Sequence, residues 1–276
     1  MNIKFTKMHG LGNDFVMINA ISQSVTLDTE TVKCLADRNM GIGCDQLLVV
    51  EPSPVDDCDF RYRIFNSDGG EVQQCGNGAR CFARFVVDEG LTDKTEIPVL
   101  TAGGRIVLTL EGNDQVTVDM GQPVLEPADI PFIADSQQTT YRHTLADQEI
   151  TFSAVSMGNP HAVMLVKSVD DASVKVIGKA FQNTPIFPEQ VNAGFMQIID
   201  RSNVRLRVYE RGAGETMACG TGACAAIVAG ILQGLLDESV TVILPAGNLT
   251  ISWAGIGSPV MMTGPVTTVF NGTIKI

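Results

Sequence analysis

Positive charge is scarce in this chain: 19 lysines and arginines stand against 31 aspartates and glutamates, for a formal net charge of −12. Nucleic acids and anionic membrane surfaces select basic patches, so neither is expected as a partner. Histidine is scarcer still. The three present, His9, His143 and His161, are scattered. No C-x-x-C occurs either: five residues separate Cys75 from Cys81 and four separate Cys219 from Cys224. Zinc and dithiol redox chemistry are therefore not expected, and the metal expectation is none. The seven cysteines are odd in number and irregular in spacing, and the opening MNIKFTKMHG has no apolar run of a signal peptide. A disulfide framework is not expected, and a reducing cytoplasmic location is. One charge-free run, residues 217–236, is long enough for a membrane span, but its four glycines fit a helix buried in a soluble core better.

What the chain does contain is a repeated phrase. GEVQQCGNGA at residues 70–79 returns as GETMACGTGA at residues 214–223, identical at six of ten positions, with Cys75 and Cys219 144 residues apart. At the same offset FRYRIF (60–65) aligns with VRLRVY (204–209), and GNDFVMI at Gly12 echoes GNPHAVML at Gly158. Chance likeness of glycine-rich loops does not explain aligned strands upstream; duplication does.

Period-2 alternation and β-branched runs predict strands at residues 2–7, 15–19, 46–51, 59–66, 105–110 and 115–120. The second half repeats them at 150–155, 162–166, 195–200, 203–210, 239–244 and 249–253. Helices are expected at 29–39, with Val32, Leu35 and Ala36 on one face, and at 79–89 and 223–236 after the two cysteine loops. The fold expected is α+β (α/β): two pseudo-symmetric domains, each a strand-rich, barrel-like sheet around a central apolar helix. The first domain would span residues 1–120, with 265–276 returning as a closing strand, and the second 121–264. Prolines and glycines among polar residues at 121–138 mark the join.

Three chemistries compete for the repeated loop. Gly220, Gly222 and Ala225 satisfy G-x-G-x-x-A, but nine residues separate them from the strand ending at Glu210, and the strand that follows ends without an acid. A dinucleotide fold needs a tight turn and that acid. Metal or redox work fails on spacing, and Cys34, Cys44, Cys58, Cys81 and Cys224 are expected as buried small hydrophobes. The third chemistry uses Cys75 and Cys219 on one small molecule. A thiol at a helix N-terminus is expected to ionise more readily. Glycines at the second and fourth positions of C-G-x-G let a ligand approach the backbone N–H groups, which suit a carboxylate. Two such loops facing each other across a domain cleft put an acid-base group on each face of a carbon, as racemisation requires.

Taken in order, KMHGLGNDFVMI, RNMGIGCDQLLVVE, RIFNSDGGEVQQCGNGARC, SMGNPHAV, VNAGFMQII and YERGAGETMACGTGACA run through nearly the whole chain. At these residues the sequence resembles the diaminopimelate epimerases. The resemblance implies a cofactor-independent enzyme, a homodimer of two-domain chains, that interconverts LL- and meso-2,6-diaminopimelate on the route to lysine and peptidoglycan. It implies Cys75 and Cys219 as the acid/base pair, with Cys219 accepting the proton and Cys75 donating it in the LL-to-meso direction. It also implies His161 and Glu210 as residues that tune the thiols. Substrate contacts would come from Asn13, Gln46, Asn66, Gly76, Asn77, Asn159, Asn192, Glu210, Arg211, Gly220 and Thr221. Asparagine offers a donor and an acceptor, Glu210 can meet an ammonium, and Arg211 can hold a carboxylate through two N–H groups.

One departure concerns assembly: Phe270 stands where some relatives of that family carry a tyrosine supporting the dimer, which keeps a ring and loses a hydroxyl. Two alternatives compete. A proline or hydroxyproline racemase of related fold would leave Glu210 and Arg211 without a second polar end to bind. A non-catalytic binding protein would need neither thiol.

Overall fold

The structure, a computed structural model, describes residues 2–72, 75–145 and 148–276. The chain divides into two compact units, Met1–Asp119 with Thr263–Ile276, and Met120–Met262. The first carries β1 (Asn2–Gly10), β2 (Asn13–Asn19), α1 (Thr29–Ala36), β3 (Gln46–Pro52), β4 (Phe60–Asn66), β5 (Glu71–Val72), α2 (Gly76–Asp88), β6 (Glu96–Thr101), β7 (Gly104–Leu110) and β8 (Gln115–Asp119). The second carries β9 (Tyr141–Leu145), β10 (Gln148–Ser156), β11 (Pro160–Leu165), α3 (Val174–Gln182), β12 (Asn192–Asp200), β13 (Asn203–Glu210), β14 (Gly214–Thr216), α4 (Gly220–Leu232), β15 (Ser239–Leu244) and β16 (Gly247–Trp253). After β17 (Val260–Pro265), β18 (Thr267–Lys275) returns to pair with β1.

Strand pairing in the two units follows one plan. In the first, β18–β1 and β1–β2 are antiparallel, β2–β3 parallel, β3–β4 antiparallel, β4–β6 parallel and β6–β7 antiparallel. In the second, β9–β10 and β10–β11 are antiparallel, β11–β12 parallel, β12–β13 antiparallel, β13–β15 parallel and β15–β16 antiparallel. Parallel neighbours need a crossover, and each crossover holds a helix: α1 and α2 in one unit, α3 and α4 in the other.

Each sheet is covered on both faces, which explains the unbroken apolar runs FVMI and LLVV. On one face Val16, Ile18, Leu47 and Val49 pack with Val32 and Leu35 of α1. On the other, α2 touches β1, β2, β3, β7 and β8, strands from both ends of the series, so the sheet curls around the helix. In the second unit α4 takes that place against β10, β11, β12, β13 and β16. On the other face of that sheet, Tyr141 of β9 and Phe152 of β10 pack with Phe132, Phe181 and Phe187, their rings meeting edge to face or stacked.

The structure corrects several expectations. Both central helices begin three residues earlier than expected, at Gly76 and Gly220, because the glycines that read as loop form the first helical turn. Only α4 is apolar beyond its first turn, with Thr221 its one polar side chain; α2 buries Asn77 and Arg80. Cys34 is exposed, on the side of α1 opposite Val32 and Leu35, while Cys44, Cys58, Cys81 and Cys224 are buried as expected. Residues 217–236 give a helix of 13 residues, and among the described residues no helix is long and apolar enough to cross a membrane.

Candidate active site

Cys75 and Cys219 each occupy the residue before a central helix. Both backbones are extended there (φ −142°, ψ 120° and φ −124°, ψ 108°), and each carbonyl accepts the first helical bond, from Ala79 N at 2.8 Å and Ala223 N at 3.0 Å. Neither cysteine side chain caps its helix, so the N–H groups of Gly76 and Asn77, and of Gly220 and Thr221, point out of the helix end. The fourth residue of C-G-x-G is glycine for a packing reason. A Cβ on Gly222 would lie 3.1 Å from Cys219 Sγ and from Val208 Cγ2, and one on Gly78 would lie 2.8 Å from the Tyr62 hydroxyl.

Around Cys75 the groups are mainly neutral amides. Its Sγ donates to Asn13 Oδ1 at 3.6 Å, and Asn77 Nδ2 donates to the same oxygen at 3.3 Å. Asn13 Nδ2 in turn donates to Asp45 Oδ2 at 3.0 Å. Asn77 Oδ1 accepts from Arg80 Nη2 at 2.8 Å, and Arg80 is completely buried. The buried Tyr62 hydroxyl donates to the Cys75 carbonyl at 3.4 Å. One strand over, Gln46 Nε2 donates to Asn66 Oδ1 at 2.9 Å, a pair aligned by the β3–β4 register. Of the sequence-predicted residues in this unit, Asn13, Asn77 and Cys75 form one hydrogen-bonded group and Gln46 with Asn66 another. Phe270, on β18, is 49% exposed and meets Phe5 edge to face at 6.0 Å.

Around Cys219 an acid replaces the amides. Glu210 holds the strand position equivalent to Asn66, and its carboxylate accepts from the Thr216 hydroxyl. The Cys219 Sγ lies 3.6 Å from Thr221 Oγ1. Burial holds the Cys219 thiol well above its ordinary pKa, and Glu210 pushes it further; the Thr221 hydroxyl and Gly222 N–H oppose them and lose. The helix N-terminus alone suggested the reverse, and desolvation decides the matter. His161 takes the place that Phe15 has in the first unit, each in register on the neighbouring parallel strand: His161 opposite Asn192, Phe15 opposite Gln46. It is 1% exposed, and burial, aided by the Arg211 charge, lowers it to about 3, so it is a neutral imidazole. Its Nε2 bonds Asn159 Oδ1 at 2.9 Å, while Nδ1 has no hydrogen-bond partner among the described residues. Asn192 donates to Pro160 O at 3.1 Å and accepts from Arg211 N at 2.9 Å, which fixes the backbone of Arg211; the Arg211 guanidinium donates to Glu189 O at 3.0 Å.

Sequence reasoning passed over Arg80, Tyr62, Asp45 and Thr216. Arg80 had a signal: a lone arginine, in GNGARC, on an otherwise buried helical turn. The others carry none, since their roles depend on which strands meet.

Each unit thus supplies a thiol at a helix start with polar groups set around it, an arrangement able to hold a carboxylate and move a proton. The family model for diaminopimelate epimerase matches residues 5–126 and 153–269. A diaminopimelate epimerase of Nitrosomonas europaea is 60% identical over 276 residues, covering all of both chains. One of Teredinibacter turnerae is 58% identical, also over all of both chains. Among solved structures, a Bacillus anthracis phenazine biosynthesis protein of the PhzF family superposes with TM-score 0.71 at 16% identity, covering 100% of each chain. A hydroxyproline epimerase from Agrobacterium vitis gives 0.70 at 15%, covering 99% of this chain and 92% of that one. At those identities the two structures speak for the fold, a duplicated sheet-and-helix architecture, while the full-length relatives speak for the family. The chain belongs to the diaminopimelate epimerase family.

Proposed function

We propose that the chain interconverts LL- and meso-2,6-diaminopimelate without a cofactor, with Cys75 and Cys219 as the two acid-base groups. In the LL-to-meso direction the Cys219 thiolate takes the α-proton, the electron pair passes into the substrate carboxylate, and Cys75 S–H gives its proton to the opposite face. Cys219 ends as thiol and Cys75 as thiolate, ready for the reverse reaction. The observation that carries this is the pair of thiols in equivalent positions before α2 and α4, each beside outward-pointing helical N–H groups suited to a developing carboxylate charge. The full-length relatives bearing that activity in their names support it.

The substrate has two amino-acid ends. Gly76 and Gly220, with Asn77 and Thr221, would cradle the reacting end, and Asn13, Gln46, Asn66, Asn159, Asn192, Glu210 and Arg211 the polar groups around it. An ammonium beside Glu210 would cancel the charge that pushes Cys219 up and so help it to ionise. Phe270 would sit in a homodimer contact, and the enzyme would work in the cytoplasm.

The test is incubation of reduced protein with LL-diaminopimelate in deuterated water, with the α-protons followed by NMR. Loss of α-proton signal with appearance of the meso isomer is expected. Cys75→Ala and Cys219→Ala should each abolish net epimerisation, with more than ~10³-fold loss expected for a proton-transfer group. Absence of exchange by folded, reduced protein would overturn the assignment, and proline and 4-hydroxyproline in parallel tubes would identify the racemase alternative.

A further inference from the structure

We infer that Arg80 and Asp45 are positioning residues which together dictate which atom of Asn13 faces the Cys75 thiol. An asparagine amide has a donor end and an acceptor end, and its direction follows from the groups that bind it. Here two amides stand in series between groups of fixed polarity. Arg80 has donors only, and its Nη2 lies 2.8 Å from Asn77, so Asn77 must present Oδ1 to it. Asn77 then turns Nδ2 to Asn13, 3.3 Å away, and Asn13 must meet it with Oδ1. At the far end Asp45, ion-paired with Arg38 at 2.7 Å, accepts from Asn13 Nδ2 at 3.0 Å. The donor-only end and the acceptor-only end demand the same direction for both amides. Asn13 Oδ1 is thereby left facing Cys75 Sγ at 3.6 Å, where it accepts from S–H.

The consequence is chemical. An acceptor facing the sulfur stabilises the thiol and not the thiolate. It holds Cys75 in the form that gives a proton, whereas Cys219 has no asparagine pair in its place. Among the described residues, burial pushes the Tyr62 hydroxyl and the Cys81 thiol well above their usual values, and Asp14 is ion-paired with Lys7 at 2.6 Å and Arg38 at 2.7 Å. Asn77 and Arg80 are 5% and 0% exposed, so water does not offer the Asn77 amide an alternative partner; Asn13 is half-buried and Asp45 exposed, so at that end the direction rests on the carboxylate and on Asn77.

This rests on Cys75 as an acid-base group, but its test needs no substrate, so the two can fail separately. The rate of carbamidomethylation of the Cys75 peptide by iodoacetamide is read by mass spectrometry on the full chain at fixed pH. Because each end alone suffices to hold the direction, both must be released. Arg80→Gln with Asp45→Asn removes one positive and one negative charge together. Alkylation of Cys75 in that double variant should rise roughly three- to tenfold above the product of the single effects, the fold equivalent of one modest hydrogen bond. Arg80→Lys with Asp45→Asn keeps a donor-only end and should stay near the parent rate. In an Asn13→Ala background the double substitution should add nothing. If the double variant equals the product of the singles, charge alone is acting and the relay is refuted. Should the buried Arg80→Gln change prevent folding, Asn77→Ala with Asp45→Asn breaks the same relay one step nearer to Asn13 and should raise Cys75 alkylation above the product of the two singles by a similar factor; a rate equal to that product, or an unchanged rate in Asn13→Ala, overturns the inference.

Discussion

The tight fit of Gly78 beneath the Cys75 loop makes a quantitative prediction. An alanine Cβ at that position would lie 2.8 Å from the Tyr62 hydroxyl, 3.2 Å from Phe15 Cε1 and 3.3 Å from Leu48 Cδ1, all on buried side chains. Overpacking of this kind costs about 1–3 kcal/mol. Alanine returns up to ~1 kcal/mol through its better helix propensity, most of it where the residue is fully helical. Gly78→Ala should therefore destabilise by about 1–2 kcal/mol net, read as a lower urea midpoint with unchanged slope. Tyr62→Phe removes the nearest obstacle, at the cost of a long 3.4 Å hydrogen bond to the Cys75 carbonyl, near the low end of ~0.5–1.5 kcal/mol. In the double variant the obstacle is gone, and the cycle should show a favourable coupling of about 1 kcal/mol. Additivity within ~0.3 kcal/mol would refute the packing explanation for glycine at the fourth position of C-G-x-G. Deuterium exchange from substrate, followed in the same variants, should fall with Gly78→Ala and partly recover in the double, because Cys75 lies three residues away on the same turn.

Two further predictions concern protonation and assembly. His161, lowered to about 3 by burial and then by Arg211, resists a proton that the unfolded chain accepts below its ordinary 6.5, so stability should decline as pH falls from about 6.5 toward 3. His161→Gln should flatten that decline, and an imidazole NMR signal from His161 that titrates near 6.5 in the folded protein would contradict the burial. Phe270→Asp places a charge on the half-exposed ring of β18, so it should shift sedimentation from dimer toward monomer while leaving the melting transition nearly unchanged. Monomer in the parent protein at working concentration would end the dimer proposal.

Much of the fold was legible because the two halves repeat one pattern. Strands such as Asn203–Glu210 and Ser239–Leu244 match residue for residue what alternation predicts. Local patterning failed where tertiary partners decide. The strand Glu96–Thr101 contains Pro98, which argues against a strand, yet its carbonyl still accepts from Asp59 N at 2.8 Å. The helix Val174–Gln182 is absent from the expected elements, and its β-branched Val174, Val176 and Ile177 give no local helix signal. It is helical because Val174, Ile177 and Phe181 fall on one face against the aromatic cluster. At the candidate site the two cysteines stood out because the phrase around them is repeated 144 residues on, and the equivalent places before α2 and α4 follow from that repeat. The electrostatics of the site were not legible. A helix N-terminus next to Cys219 can be seen in sequence, but the burial that outweighs it and the chain of amides ending at Arg80 depend on strands distant in sequence.

The pairing of β18 with β1 has a consequence for how the chain could be rewritten. Asn2 stands directly opposite Lys275, so the two ends of the chain meet across one ladder. In the second unit the equivalent edge strand, β9, simply precedes its partner β10, with Gln148 opposite Leu145. Joining the ends by a short linker and opening the chain between β17 and β18 would move that displaced strand ahead of β1. The circular permutant would then read as two uninterrupted tandem copies, β18–β1 through β8 followed by β9 through β17, each encoded by a single contiguous stretch of gene. The two halves could be expressed from separate reading frames and mixed, a direct route to asking whether one fold of this kind stands alone.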